Sequence, residues 1–149
     1  MKIITLKDKK LVGFRVVCET LEGYQQEIPL ALERLTQQIK DINHVVSSNI
    51  IYGIFKVEAL PEEDGYWKCI EVESFENIPV GMDHIVMKQG RYAALDYDGT
   101  PQRIQLAYES LHQWTRNNNL ERNLNEWTIE RYEKIENSRI ECTIYDPIK

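Results

Sequence analysis

The stretch Glu126-Trp127-Thr128-Ile129-Glu130-Arg131-Tyr132, followed after a short turn by Arg139 to Tyr145, alternates with period two and reads as a β-hairpin. In this reading Trp127 and Ile129 fall on one face with Ile140, Cys142 and Ile144. Thr128, Glu130 and Tyr132 fall on the other with Glu141, Thr143 and Tyr145. The pairing that keeps these faces sets Glu130 opposite Thr143 and Tyr132 opposite Glu141. One face is built to bury. The other holds a carboxylate among tyrosines, either as a wet surface, with Glu130 paired to Arg131, Lys134 or Arg139, or as the floor of a pocket.

Working outward, the chain before the hairpin carries the same element types. Residues 2–6 and 11–19 read as extended, with Val12, Phe14, Val16 and Cys18 alternating against Gly13, Arg15, Val17 and Glu19. Residues 20–27, with Gly23 and Tyr24, read as a loop. Pro29 suits the first turn of a helix, and Leu32, Leu35, Ile39 and Ile42 form its apolar stripe, ending near Asn43. Strands follow at 50–58 and about 66–73, joined through Pro61-Glu62-Glu63-Asp64-Gly65. After a connector at 78–81 the pattern restarts. Tyr92-Ala93-Ala94-Leu95 enters a strand, Thr100 and Pro101 open a helix, and Ile104, Tyr108, Leu111 and Trp114 make its stripe. Pro29 then corresponds to Pro101, residues 50–58 to 126–133, and Cys69 to Cys142.

The expected fold is therefore α+β: two β-α-β-β units with pseudo-twofold symmetry, spanning about 1–77 and 78–149 of one domain. Their strands join in an antiparallel sheet with both helices on one face and a ligand groove on the other. Tyr52 and Ile54 are the rough counterparts of Thr128 and Glu130. With Phe14, Val16 and Tyr24 they are candidates for the groove's second wall.

Composition limits the chemistry. A chain of 149 residues, 42% hydrophobic and 28% charged, suits one globular domain. A net charge of -6 argues against a nucleic-acid surface, which needs clustered Lys and Arg. No apolar run is long enough to span a bilayer, and no membrane partner is expected. Three cysteines, far apart and odd in number, read as reduced thiols of a cytoplasmic protein. The three histidines show no ligand spacing, so neither a metal nor a cofactor is expected. Glycine patterns of nucleotide-binding type and the Gly-x-Ser-x-Gly elbow are missing.

Gly90-Arg91-Tyr92-Ala93 before a strand, the helix with Tyr108 and Trp114, Ile129-Glu130-Arg131-Tyr132, and the terminal Glu141 to Ile148 together carry a resemblance. Their order and spacing resemble the GyrI-like (gyrase-inhibitor-like) superfamily, the small-molecule effector-binding domain also fused to AraC-type and MerR-type transcription regulators. The resemblance is clearest over 78–149. It implies an aromatic groove at the pseudo-twofold axis with Glu130 at its floor, facing lipophilic cations, and Tyr145 as a groove aromatic on the next strand. Tyr132 and Thr143 share that predicted face. A partly buried carboxylate loses hydration, which a bound cation offsets, and tyrosines add cation–π attraction.

The expected function is a stand-alone binding protein for small, largely apolar molecules, cationic ones among them, acting as sensor, sequestering protein or accessory to a separate regulator. It is expected as a monomer or weak dimer that does not contact nucleic acid directly. Two alternatives stay open. One is a hydrolase of reactive small molecules, with Glu130 as general base assisted by Tyr132 or Tyr145. The other is a protein-interaction module such as a DNA-gyrase inhibitor, with acidic surface mimicking phosphate charge.

Overall fold

Alternating apolar residues and their turn signals produce eight strands and two helices in a computed structural model that describes residues 1–136 and 138–149. The first half contains β1 (Lys2–Leu6), β2 (Lys9–Val16), α1 (Leu21–Gln38), β3 (Ile51–Lys56) and β4 (Tyr66–Val72). The second contains β5 (Asp83–Met87), β6 (Gly90–Gly99), α2 (Ile104–Asn117), β7 (Trp127–Ile135) and β8 (Ile140–Ile148). All strands pair antiparallel in one sheet of order β1-β6-β8-β7-β3-β4-β2-β5. Exchanging each strand for its counterpart in the other half turns this order into its own reverse. This is the order of two repeated units related by a pseudo-twofold axis between β3 and β7, consistent with a duplication. The repeated unit is β-β-α-β-β, one strand longer than the sequence unit. The extra leading strand of each half pairs with the other half: β1 with β6, and β5 with β2.

Helix α1 starts eight residues before the expected Pro29, at Leu21. The sequence reading of 20–27 as a loop is corrected by a capping interaction. The Thr20 side-chain oxygen accepts from the Gly23 backbone N–H at 3.0 Å, satisfying a donor that the first helical turn leaves free. Pro29 is accommodated inside the helix. Its ring removes the hydrogen bond to the carbonyl of Gln25, an exposed residue whose carbonyl water can serve. Helix α2 follows the expected order: Thr100, then Pro101 at the first position of a short 3₁₀ turn, then α-helix from Ile104.

The hairpin register differs from the sequence expectation by one residue. Glu130 lies opposite Ile144, Arg131 opposite Thr143, and Tyr132 opposite Cys142. The ladder slips after Tyr132 and resumes with Lys134 opposite Glu141. A shift of one residue carries every β8 side chain to the other face. Glu130 and Tyr132 therefore share a face with Ile140, Cys142 and Ile144, while Thr143 and Tyr145 lie with Trp127 and Ile129.

Both faces of the sheet are buried. On one, Val12, Phe14, Ile70, Tyr132, Cys142 and Ile144 pack with Leu35 of α1 and Leu111 of α2. On the other, to which neither α1 nor α2 contributes, Tyr52, Ile54, Trp67, Tyr92, Trp127 and Ile129 form a second core. Strong curl accounts for the second. β1 stands at one end of the strand order and β2 beside the other end, yet only two residues connect them. Three Cα steps reach at most ~11 Å, so the ends of the sheet must approach. The β5–β6 link imposes the same closure, and the Gln89 backbone N–H donates to Asp8 Oδ1 at 2.7 Å, fastening the two links together. The inner face so enclosed is filled by aromatic residues, with Trp67 and Trp127 edge to face at 5.8 Å. The face expected to carry an open groove is thus a packed core, and the groove expectation moves to the helix side. The three cysteines are free thiols.

Trp127→Ala removes an aromatic from this inner core. It should lower the unfolding free energy by about 3–5 kcal/mol in urea denaturation. A loss under about 1 kcal/mol would show that the inner face is not a core.

Candidate functional site: a buried carboxylate at the pseudo-twofold axis

At the axis, Gly53 of β3 pairs with Glu130 of β7. This register makes Gly53 the equivalent of Glu130 and Tyr52 the equivalent of Ile129, so the rough match of Ile54 with Glu130 is off by one. Glu130 is 5% exposed. Its carboxylate points to the helix-bearing face and accepts three phenolic hydrogen bonds. Tyr66 of β4 donates to Oε1 at 2.6 Å, Tyr132 of β7 to Oε1 at 2.7 Å, and Tyr108 of α2 to Oε2 at 2.6 Å. Tyr132 arrives there because residues two apart share a strand face. Tyr108 arrives because it belongs to the buried stripe of α2.

Gly53 opens the path for Tyr66. A Cβ at residue 53 would stand 1.9 Å from the Tyr66 hydroxyl oxygen and 3.1 Å from Glu130 Oε1. The phenol of Tyr66 therefore crosses β3 through the space that a side chain would fill. Phe55 stacks on Tyr66 at 6.2 Å and tilts against Tyr108, also at 6.2 Å, which closes the aromatic wall.

Lys68 lies on the far side of Gly53, opposite it in the ladder and only 4% exposed. Its Nζ donates to the Tyr66 oxygen at 3.2 Å and stands 4.0 Å from the centroid of the Tyr132 ring. Lys68, Tyr66 and Glu130 thus form a chain in which the phenol oxygen sits between ammonium and carboxylate. Burial lowers the Lys68 pKa to about 8, with the Glu130 charge opposing that fall. Burial, followed by the Glu130 charge, holds Tyr66, Tyr108 and Tyr132 well above the ordinary phenol range. They remain protonated donors across the physiological range.

Two clefts flank α1. One, of about 210 Å³, is lined by Leu32, Thr36 and Ile39 of the helix region and by Ile51, Tyr132 and Ile135 of the sheet. The other, of about 570 Å³, is lined by Phe14, Val16, Cys18, Ala31 and Arg34, among others. Each reaches a neighbour of the polar centre: Tyr132 in the first, and Phe14, which pairs with Lys68, in the second. Among the described residues no group of three or more His, Cys, Asp or Glu could hold a metal ion. Among the described residues no helix is long and apolar enough to cross a membrane.

The structure gathers some of the sequence candidates and separates others. Glu130, Tyr132, Phe14 and Val16 face the helices, and Tyr24 in the first turns of α1 packs against the same core. Tyr52 and Ile54 lie in the inner core, with Tyr145 against it. The Tyr52 hydroxyl approaches Glu71 at 3.5 Å, and Tyr145 meets Tyr92 edge-on at 6.3 Å. Thr143 donates to Asp96 Oδ1 at 2.8 Å. Sequence reasoning missed Tyr66, Lys68, Tyr108 as a donor, and Gly53. Gly53 did carry a signal: a glycine inside an apolar strand marks close approach of another group.

This arrangement sits within a recognised family. Residues 2–148 match Cass2, described as integron-associated effector binding protein. The chain belongs to that family. Solved structures agree on the fold. SAV2435 bound to tetraphenylphosphonium matches with a TM-score of 0.70 at 19% identity, covering 99% of this chain and 93% of that one. The EcmrR C-terminal domain matches with a TM-score of 0.70 at 15% identity, covering 99% and 96%. The Vibrio cholerae integron cassette protein VCH_CASS2 matches with a TM-score of 0.62 at 12% identity, covering 99% and 95%. No curated protein sequence matches the chain. Membership in the Cass2 family makes this chain an effector-binding protein and agrees with the GyrI-like resemblance of its motifs.

Gly53→Ala should drive the Tyr66 phenol from Glu130 and destabilise the fold by about 1–3 kcal/mol, the range for an unmade buried hydrogen bond. In a Tyr66→Ala background the same substitution should be nearly neutral in urea denaturation. Equal losses in both backgrounds would place the strain elsewhere.

Proposed function

We propose that this protein binds small, largely apolar organic cations as a stand-alone effector-binding domain, with Glu130 reading the positive charge. The observation that carries this reading is a carboxylate held by three phenols at the centre of the sheet, beneath the helices and beside two clefts. A carboxylate so placed has exchanged water for three fixed donors, and a cation adds the one interaction those donors do not provide. The phenol faces supply cation–π attraction of about 0.5–2 kcal/mol each. SAV2435, which shares the fold, holds tetraphenylphosphonium, a lipophilic cation of this class. Tyr132, Phe14, Val16 and Tyr24 are the nearest candidates for the apolar walls. Tyr52, Ile54, Thr143 and Tyr145 face away from Glu130 and are left out of this reading. The protein then acts as a sensor or sequestering agent in the cytoplasm, or as accessory to a separate regulator.

The hydrolase reading uses the same Glu130–Tyr132 pair, 2.7 Å apart. In the closed site three phenols occupy the carboxylate, so a water to be activated would have to displace one of them. Binding is the better-supported use.

Glu130→Gln tests the proposal by titration with tetraphenylphosphonium and with neutral triphenylphosphine oxide. The variant should weaken the cation by on the order of tenfold or more, about 1.4 kcal/mol, and leave the neutral analogue nearly unchanged. Equal affinities of wild type and variant for the cation would reject the role of Glu130. Turnover of strained electrophiles, lost in Glu130→Ala, would replace the binding reading with the hydrolase.

A further inference from the structure

A site built to receive a cation already contains one. The Lys68 ammonium donates to the Tyr66 oxygen at 3.2 Å, and that oxygen donates to Glu130 at 2.6 Å. The same ammonium lies 4.0 Å from the centroid of Tyr132 and 5.2 Å from that of Tyr66, both within cation–π range. Lys68 thus takes up two of the interactions that Glu130 and its phenols could offer a ligand. Its side chain is 4% exposed, so little water screens it from a second positive charge.

We propose that Lys68 is the resident cation of the Glu130 site, and that a cationic ligand binds by exchange for the Lys68 proton. The inference rests on the cation-binding reading above and deepens it by naming the group that gates charge. Two unit charges ~5 Å apart at an effective dielectric of about 20 repel by enough to weaken binding on the order of a hundredfold. Loss of the proton removes that repulsion. The neutral amine then remains as an acceptor that the Tyr66 hydroxyl or water can satisfy.

Every group facing Lys68 is consistent with this assignment. From β7 it meets Glu130 and Tyr132, and from β4 Tyr66 and the neighbouring Cys69. From β8 it senses Cys142, and α2 brings Tyr108 to the same carboxylate. Its β2 neighbour is Phe14, and α1 buries Ala31 and Leu35, all apolar. The phenols and both thiols are pushed upward by burial, Cys142 to about 12, away from neutral pH. Lys68, lowered to about 8, can release its proton near neutrality. The lysine is charged below that value, so the exchange matters there. Cation affinity rises with pH until Lys68 is neutral and then levels off.

Calorimetric titration with tetraphenylphosphonium in buffers of different ionisation enthalpy counts the protons released. At pH 7 the wild type should release close to one proton per cation, and its Kd should fall on the order of tenfold in all between about pH 6 and 7.5. Lys68→Met should release none, bind on the order of tenfold more tightly at pH 7, and lose the pH dependence. Lys68→Arg, which keeps a permanent charge, should release none and bind more weakly than wild type. Triphenylphosphine oxide should bind without proton release in all three. Release that persists in Lys68→Met, or in Lys68→Arg if the first variant does not fold, would assign the proton to another group and overturn the proposal. Cation binding by wild type with no release would overturn it too, while leaving the cation-binding function intact. Absence of cation binding by both wild type and Lys68→Met would instead overturn the function on which it rests.

Discussion

A carboxylate buried in the middle of a sheet has to be solvated by the protein, and three phenols do it here. Removing such an ion from water costs several kcal/mol even after relaxation. Hydrogen bonds to a charged group contribute about 1.5–3 kcal/mol each, so three of them are of the size needed to offset that penalty. The need for those donors explains much of the surrounding architecture. Tyr66 must cross β3, which requires glycine at residue 53. Tyr108 must descend from above, which sets the rotation of α2 about its own axis. Tyr132 must share a strand face with Glu130, which the strand period supplies. Phe55 then fills the angle between Tyr66 and Tyr108.

The duplicated fold gives this centre its location but not its chemistry. A true twofold axis between β3 and β7 would place the same residue twice at the crossing point. Two glutamates there would repel, and one would stay protonated. The halves have diverged instead. One brings Glu130, Tyr132 and Tyr108; the other brings Gly53, Tyr66 and Lys68. Lys68 and Ile144 are equivalent positions, each paired with the axis residue of its own half. Charge on the first half is matched by an apolar residue on the second, so the centre holds one cation and one anion.

Much of this fold is legible in the residues. Period-two runs mark the strands, the Leu32–Leu35–Ile39 and Tyr108–Leu111 stripes mark the helices, and the restart after residue 78 marks the duplication. The errors have a common physical source. When both faces of a sheet are buried, alternation says that faces differ but not which one meets the helices. The hairpin could therefore be read with Ile129 and Ile144 together, whereas the ladder pairs Ile129 with Tyr145. The irregularity after Tyr132 hides this slip, since a bulge resets the count within the same hairpin. Glu130 was legible as an odd carboxylate on an otherwise buried stretch. Its donors were not, because Tyr66 and Tyr108 reach it across 64 and 22 residues of chain. In Tyr66-Trp67-Lys68-Cys69, Lys68 has the pattern of an outward-facing strand residue. Its burial comes from the Tyr66 and Tyr132 rings that close over the ammonium, which the strand pattern does not reveal.

The closed arrangement bears directly on selectivity. The clefts lie to either side of α1 and touch the neighbours of Glu130 rather than the carboxylate itself. On the binding role proposed above, a ligand would reach Glu130 by widening the space between α1 and the sheet. Helix α2 is tied to Glu130 by Tyr108, whereas α1 packs on the sheet through apolar side chains such as Ala31 and Leu35. Parting α1 from the sheet exposes apolar surface, at roughly 25 cal/mol per Å². A small inorganic cation cannot replace that surface, and a neutral hydrocarbon gains nothing from Glu130. A ligand combining broad apolar faces with a diffuse positive charge satisfies both demands. Such a charge carries weak hydration, so it gives up little on leaving water. On that proposed role, discrimination would arise from two requirements that must be met together, one set by packing and one by the buried carboxylate.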